Sequence, residues 1–145
     1  VDRFQVLHST NGTFSALQDF SDQPNGFLSS LKWTTTSASD SFNSNHHAIV
    51  RQRIEGTNIY DLQFGSATAE TITLSFWVRS AKTGTYIVEL NNENSGGAKK
   101  QSQSYTISSA NTWEKKTITY GLYSGGSSLK QKLEAINKIN YKKID

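Results

Sequence analysis

Cysteine and methionine are absent from this chain, and proline occurs once in 145 residues. Without cysteine there is no disulfide framework, no thiolate metal site and no cysteine nucleophile. Charged residues (19%) and hydrophobic residues (34%) both fall below the usual share of a globular domain, and Ser, Thr, Asn, Gln and Gly take up the difference. That balance suits a thin β-protein with many polar turns. No apolar run approaches the roughly 18 residues of a membrane helix, so no membrane partner is expected. No basic, apolar leader opens the chain either, and it reads as a soluble, already trimmed segment. What is present is aromatic surface: three Trp, six Tyr and seven Phe supply enough to bury in one core, which sets disorder aside.

The formal net charge of +3 is unevenly placed. Up to Ser128, ten Lys and Arg face ten Asp and Glu; from Leu129 onward, five Lys face only Glu134 and Asp145. A neutral body with one lysine-rich tail lacks the basic stripe of a nucleic-acid binder, so no nucleic-acid partner is expected.

Alternating apolar and polar residues between turn signals predict eight half-buried strands: Arg3 to His8, Thr13 to Gln18, Leu28 to Thr36, His46 to Ile54, Thr71 to Arg79, Gly84 to Leu90, Ser102 to Ile107 and Trp113 to Tyr120. Ser9-Thr10-Asn11-Gly12, Gln23-Pro24-Asn25-Gly26, Lys82-Thr83-Gly84 and Asn94-Ser95-Gly96-Gly97 supply turns. Short strands at this spacing predict an all-β antiparallel β-sandwich of jelly-roll type over residues 1–123. The link from Glu55 to Glu70 is expected to pack as a crossover loop or short helix. Ile72, Leu74, Phe76, Val78, Val50, Ile54, Leu31 and Trp33 form the expected core.

Residues 124–128, Ser-Gly-Gly-Ser-Ser, read as a flexible linker. Residues 129–145 are rich in Lys, Leu, Glu and Ala, and predict a short C-terminal α-helix with Leu129, Leu133, Ile136, Asn140 and Ile144 on one stripe. Such a helix either docks on the body, associates with copies of itself, or is an appended segment. Association makes a homo-oligomer the expected state, with those five residues as its contacts.

The chemistry on offer is that of binding. Glu55, Asp61, Glu70 and Glu89 stand in no catalytic motif and read as surface carboxylates, and the adjacent His46 and His47 point to opposite faces of a strand and do not share a metal ion. Nucleophile elbows, phosphate loops and dinucleotide fingerprints are missing. No enzyme activity, no catalytic residue, no metal site and no cofactor are expected, with a structural calcium ion left open. Arg51, Arg53, Trp77, Arg79 and Glu89 could together bind a carbohydrate if their strands are neighbours, because sugars stack on aromatic rings and their hydroxyls bond to guanidinium and carboxylate groups. The alternative is that Trp77 is covered by the Glu55 to Glu70 link or the C-terminal helix while the arginines pair with acids.

Four stretches carry a resemblance: Gln52-Arg53-Ile54-Glu55-Gly56, then Asp61-Leu62-Gln63-Phe64-Gly65, then Ala69-Glu70-Thr71-Ile72-Thr73-Leu74-Ser75-Phe76-Trp77-Val78-Arg79-Ser80, and Asn111-Thr112-Trp113-Glu114-Lys115-Lys116. Together with the opening Val1-Asp2-Arg3-Phe4, they make residues 1–120 resemble the carbohydrate-binding-module-like jelly-roll domains of phage and large-virus tail fibres and related virion proteins. The resemblance implies a virion or extracellular location, a non-catalytic attachment module whose partners are a cell-surface glycan or other virion proteins, and a trimer as the favoured homo-oligomer. The alternative it implies is a purely structural capsid-decoration domain acting through protein contacts. After Tyr120 such domains continue through further strands, and here the linker and expected helix depart from that pattern.

Overall fold

The computed structural model of the protein describes residues 4–38, 43–63, 68–92, 99–121 and 133–138. The strands are β1 (Phe4–His8), β2 (Thr13–Asp19), β3 (Ser30–Ser37), β4 (Ala48–Ile54), β5 (Ile72–Val78), β6 (Gly84–Asn92), β7 (Lys99–Ile107), β8 (Glu114–Tyr120) and β9 (Leu133–Lys138), with a 3-10 helix over Gly56–Leu62. The first eight lie close to the bounds that alternation predicts. The 3-10 helix occupies the expected crossover link and packs Ile59 toward the core while Tyr60 stays exposed. Gly26 takes a positive φ of 87° in the turn where the Phe27 amide donates to the Pro24 carbonyl, a backbone that glycine adopts without a Cβ penalty. Among the described residues, no helix is long and apolar enough to cross a membrane.

The chain is all-β. One sheet has five strands in the order β1-β4-β9-β6-β7, and two smaller sheets pair β2 with β3 and β5 with β8, every pairing antiparallel.

The expected C-terminal helix is corrected: Leu133–Lys138 is a strand, hydrogen-bonded on one side to β4 and on the other to β6. The reason is tertiary. Strands β4 and β6 run in the same direction on either side of this segment, and each would leave an unpaired row of amides and carbonyls without it. Six residues that satisfy two edges outweigh a helix propensity worth a few tenths of a kcal/mol per residue. Leu133 and Ile136 therefore lie in a sheet and form no helical stripe, which removes the basis on which helical association and a trimer were expected. Leu129, Asn140 and Ile144, the linker 124–128 and the turn at Asn94 lie outside the described residues.

The core lies between the β6–β7 half of the large sheet and the β5–β8 pair. Tyr86, Val88 and Leu90 of β6, Tyr105 and Ile107 of β7, and Ile118 and Tyr120 of β8 are buried together. Phe76 meets Tyr105 edge-on at 5.1 Å, Tyr86 stacks on Tyr105 at 5.7 Å, and the Tyr120 hydroxyl donates to the Val88 carbonyl at 3.2 Å across the two layers. The expected row of Ile72, Leu74, Phe76 and Val78 packs against this cluster and is only half-buried, and so are Ile54, Leu31 and Trp33; Val50 is buried. At the other end, His8 of β1 touches Phe14 of β2 at 5.1 Å, and Phe14 meets Trp33 of β3 at 5.4 Å, which places the β2–β3 pair against the β1 side.

Polar anchors hold the loops. Asp19 accepts the Ser21 amide (2.8 Å) and hydroxyl (2.6 Å) and pairs with Lys32 (3.1 Å); Glu114 accepts the Ser108 and Ser109 amides and pairs with Lys116. The Ser21 bonds, then Lys32, hold the Asp19 carboxyl far below its usual range, and Lys116, then the Ser109 and Ser108 amides, lower that of Glu114. Burial, and secondarily the charge of Glu89, push the Tyr120 hydroxyl up to about 12.

Three measurements check this architecture. Ile107→Ala removes a side chain that is 1% exposed, and urea unfolding is expected to show a loss of about 2–5 kcal/mol; a loss near zero would place the core elsewhere. The two carboxyls have lower pKa values folded than unfolded, so their stabilisation is complete above about pH 5 and fades as pH falls through the folded values. Tyr120 has the opposite sign: its contribution is complete below about pH 9 and fades as pH rises past about 10 toward the folded value. Unfolding midpoints recorded from acid to alkaline pH should therefore fall at both ends, with a shallower acid limb in Asp19→Asn and a shallower alkaline limb in Tyr120→Phe.

Candidate functional site

The large sheet has one face on the core and one turned away from it. In β4, Ala48 and Val50 are buried toward the core, so the alternate residues Ile49, Arg51 and Arg53 belong to the outer face. In β6, Tyr86, Val88 and Leu90 face the core, so Ile87, Glu89 and Asn91 belong to the outer face. Register carries these assignments across the sheet. Gln5 lies opposite Arg51, both Arg51 and Glu89 lie opposite Ile136 of β9, and Glu89 lies opposite Ser102 of β7. One row thus runs Gln5, Arg51, Glu89, Ser102 over the breadth of the sheet. The next row holds Arg53, Asn91 and Lys100, since Arg53 and Asn91 both lie opposite Glu134 and Asn91 lies opposite Lys100.

Side chains knit these rows. The Arg51 Nε donates to the Gln5 Oε1 at 2.9 Å, the Ser102 hydroxyl donates to the Glu89 Oε2 at 3.1 Å, and the Lys100 Nζ lies 3.5 Å from the Glu89 Oε1. The rows are deep in the middle and open at the sides: Glu89 is 7% exposed and Asn91 4%, whereas Gln5, Arg53, Lys100 and Ser102 are exposed. Glu89 is thereby a buried, engaged carboxylate and not the surface group its sequence context suggests. Asn91 was legible in the same alternation but lies one residue past the expected end of its strand, Leu90, and Lys100 and Ser102 were passed over because register is not readable from one strand.

Of the five residues expected to bind together, the fold joins three and separates two. Arg51, Arg53 and Glu89 share the outer face. Trp77 belongs to β5, on the outward face of the β5–β8 pair, opposite Lys115 and partly exposed. Arg79 follows β5 and acts as an anchor: its Nε donates to the Asn111 carbonyl at 2.9 Å and its Nη1 pairs with Asp22. Asp22 also accepts the Trp113 indole N–H at 3.0 Å, so one carboxylate ties the β2–β3 connection to the ends of β5 and β8. Trp77 and Arg79 fell outside the shared face because β5 pairs with β8, a strand distant in sequence, and not with β4 or β6.

His46 and His47 precede β4; their Nδ1 atoms lie 3.4 Å from the Asn43 amide and the Asn45 carbonyl respectively, and the His47 carbonyl accepts the Ser9 amide at 2.8 Å. Among the described residues, no group of three or more His, Cys, Asp or Glu could hold a metal ion. Compared with known protein families, with curated proteins and with solved structures, the chain gives no match.

Because Arg79 and Asp22 form an anchor, Asp22→Ala is expected to lower stability by about 1–2 kcal/mol, the range for charge-assisted bonds discounted for partial exposure. Trp77→Ala should change it by less than about 1 kcal/mol. Parallel urea titrations distinguish the two; an equal loss in both would mean that Trp77 is packed.

Proposed function

We propose that the chain is a non-catalytic attachment module of jelly-roll type that binds a cell-surface glycan, in the setting of a virion protein, on the outer face of its five-stranded sheet. The observation that carries the reading is the pair of rows holding Arg51, Arg53, Glu89 and Asn91, with donors and acceptors interleaved, deep at the centre and open at the rim. Guanidinium, carboxylate and carboxamide groups in planar array are the partners that sugar hydroxyls bond to best. The two small sheets set against one face of a larger sheet support the jelly-roll reading, and the sequence stretches around Arg53 and Trp77 support the virion setting by resemblance. No catalytic step is assigned, since both oxygens of Glu89 are taken up by Lys100 and Ser102.

A second reading, a structural virion domain acting through protein contacts, draws on a different part of the molecule. Phe20, Phe27 and Leu28, in and beside the β2–β3 connection, are 67%, 52% and 90% exposed, and exposed apolar side chains gathered on one connection suit a protein interface.

A glycan array probed with the full chain tests the first reading. Binding to at least one glycan class is expected, reduced by about tenfold or more in an Arg51→Ala/Arg53→Ala double variant and unchanged in Trp77→Ala. Silence across a broad array, or binding that follows Trp77 instead of the arginines, would overturn it.

A further inference from the structure

We infer that the open edge of β1 pairs with β1 of a second copy of this chain, antiparallel and centred on Val6, which joins two large sheets into one across a twofold axis. β1 is an outer strand of the large sheet, and among the described strands it pairs with β4 alone. The direction of its free backbone groups follows from one bond. Ser9 continues the register of the pair opposite His47, and its amide donates to the His47 carbonyl at 2.8 Å. Directly opposed residues of an antiparallel pair alternate between exchanging bonds and exchanging none. Leu7 and Gln5 therefore turn their N–H and C=O groups to β4, while those of Phe4, Val6 and His8 point away from it, along the edge.

That edge is complementary to itself. A twofold axis at Val6 sets Val6 against Val6 of the second copy, and Phe4 of each copy against His8 of the other; all are residues whose backbone groups point outward, so each opposed pair exchanges two N–H···O bonds. The side chains match on both faces as well. Val6 lies opposite Val50, which is buried toward the core, so Phe4, Val6 and His8 share the core side and Gln5 and Leu7 the outer side. Phe4 is 39% exposed and Leu7 36%. In the pairing, Phe4 comes to lie beside His8 of the second copy and lengthens the row of rings in which His8 touches Phe14 and Phe14 meets Trp33. Leu7 comes to lie beside Gln5 of the second copy on the other face.

Other strands carry guards against such pairing. β2 contains Asp19, β3 Lys32, β7 Lys99 and Lys100, and β8 Glu114, Lys115 and Lys116, whereas β1 and β5 contain no Lys, Arg, Asp, Glu or Pro. Charged side chains and proline are what keep sheet edges from pairing with copies of themselves. β5 packs its apolar row of Ile72, Leu74, Phe76 and Val78 on the core of its own chain. β1 instead keeps a large apolar side chain in water on each of its faces. Pairing brings the outer faces of two copies side by side, so a repeating ligand engages both and gains by avidity. That consequence rests on the proposed glycan-binding face; the pairing itself does not, and its test uses no glycan.

Sedimentation velocity of the full chain over a wide range of concentration is expected to show a dimer that dissociates on dilution. Hydrogen exchange read by NMR locates the contact: the amides of Phe4, Val6 and His8 should exchange more slowly as concentration rises, and those of β5 at an unchanged rate. Val6→Pro removes an amide that makes no bond to β4, a position where an edge strand accepts proline, and it is expected to raise the dimer dissociation constant by about tenfold or more. Leu7→Lys places a charge on the edge at an exposed position and should weaken the dimer by about the same factor; it carries the test if the Pro variant does not fold. Ser75→Lys, at an exposed position of β5, should leave the dimer as it is. A monomer at every concentration, a trimer, a dimer that survives both β1 variants, or one that is lost in Ser75→Lys would overturn the pairing. Silence on the glycan array would remove the avidity consequence and leave the pairing standing.

Discussion

Two strands that run in the same direction cannot close an antiparallel sheet between them, and β4 and β6 are in that relation. The structure resolves it with β9, antiparallel to both and bonded to each along its whole length. Everything on the outer face follows from that insertion. It sets Arg51 and Glu89 in one row and Arg53 and Asn91 in the next, at a separation fixed by two strand spacings. It also leaves β1 and β7 as the outer strands of the large sheet, whose β6–β7 half packs its core side against the β5–β8 pair. Without β9, the two halves of the large sheet would share no hydrogen bonds among the described pairings.

The strands were legible in the sequence because a half-buried antiparallel sheet writes its faces as alternation. Ile72, Leu74, Phe76 and Val78 against Thr73, Ser75 and Trp77 show this plainly, and the separation of Ala48 and Val50 from Arg51 and Arg53 held in the fold. The segment at Leu133 was not legible, since Leu133 and Ile136 are also three apart, as helix positions are, and six residues with little β-branching carry weak strand propensity. What decides its conformation is the gap between β4 and β6, and that gap exists only after the rest of the sheet has formed. The candidate site was half legible for the same reason. Alternation says which side chains share a face of one strand; which strands lie side by side is a property of topology, so Glu89 shares a sheet face with the arginines and Trp77 does not.

The polar anchors show how a chain with one proline and no disulfide fixes its connections. Asp19, Asp22 and Glu114 each gather amides, hydroxyls or indole N–H groups from a connection and add a cation: Lys32 of the neighbouring strand for Asp19, Arg79 after β5 for Asp22, and Lys116 two residues along the same strand for Glu114. These bonds involve an ionised acceptor and are individually stronger than neutral ones. Asp22 has the longest reach, bridging the β2–β3 connection to residues that flank β5 and β8. It couples the two small sheets to each other through side chains where no strand pairing is described between them.

The large sheet treats its two faces by different rules. Toward the core, Val88, Ile107 and Tyr120 are almost fully buried, and the one polar group among them, the Tyr120 hydroxyl, is satisfied by the Val88 carbonyl. On the outer face, β6 buries a carboxylate and a carboxamide two residues apart, and only the carboxylate is fully matched. A sheet face selected for stability alone would place aliphatic side chains at those two positions, as it does at Ile87, because an apolar replacement of similar size avoids the desolvation of both groups. Glu89 and Asn91 occupy instead the deepest positions of a face whose rim is cationic and hydrophilic.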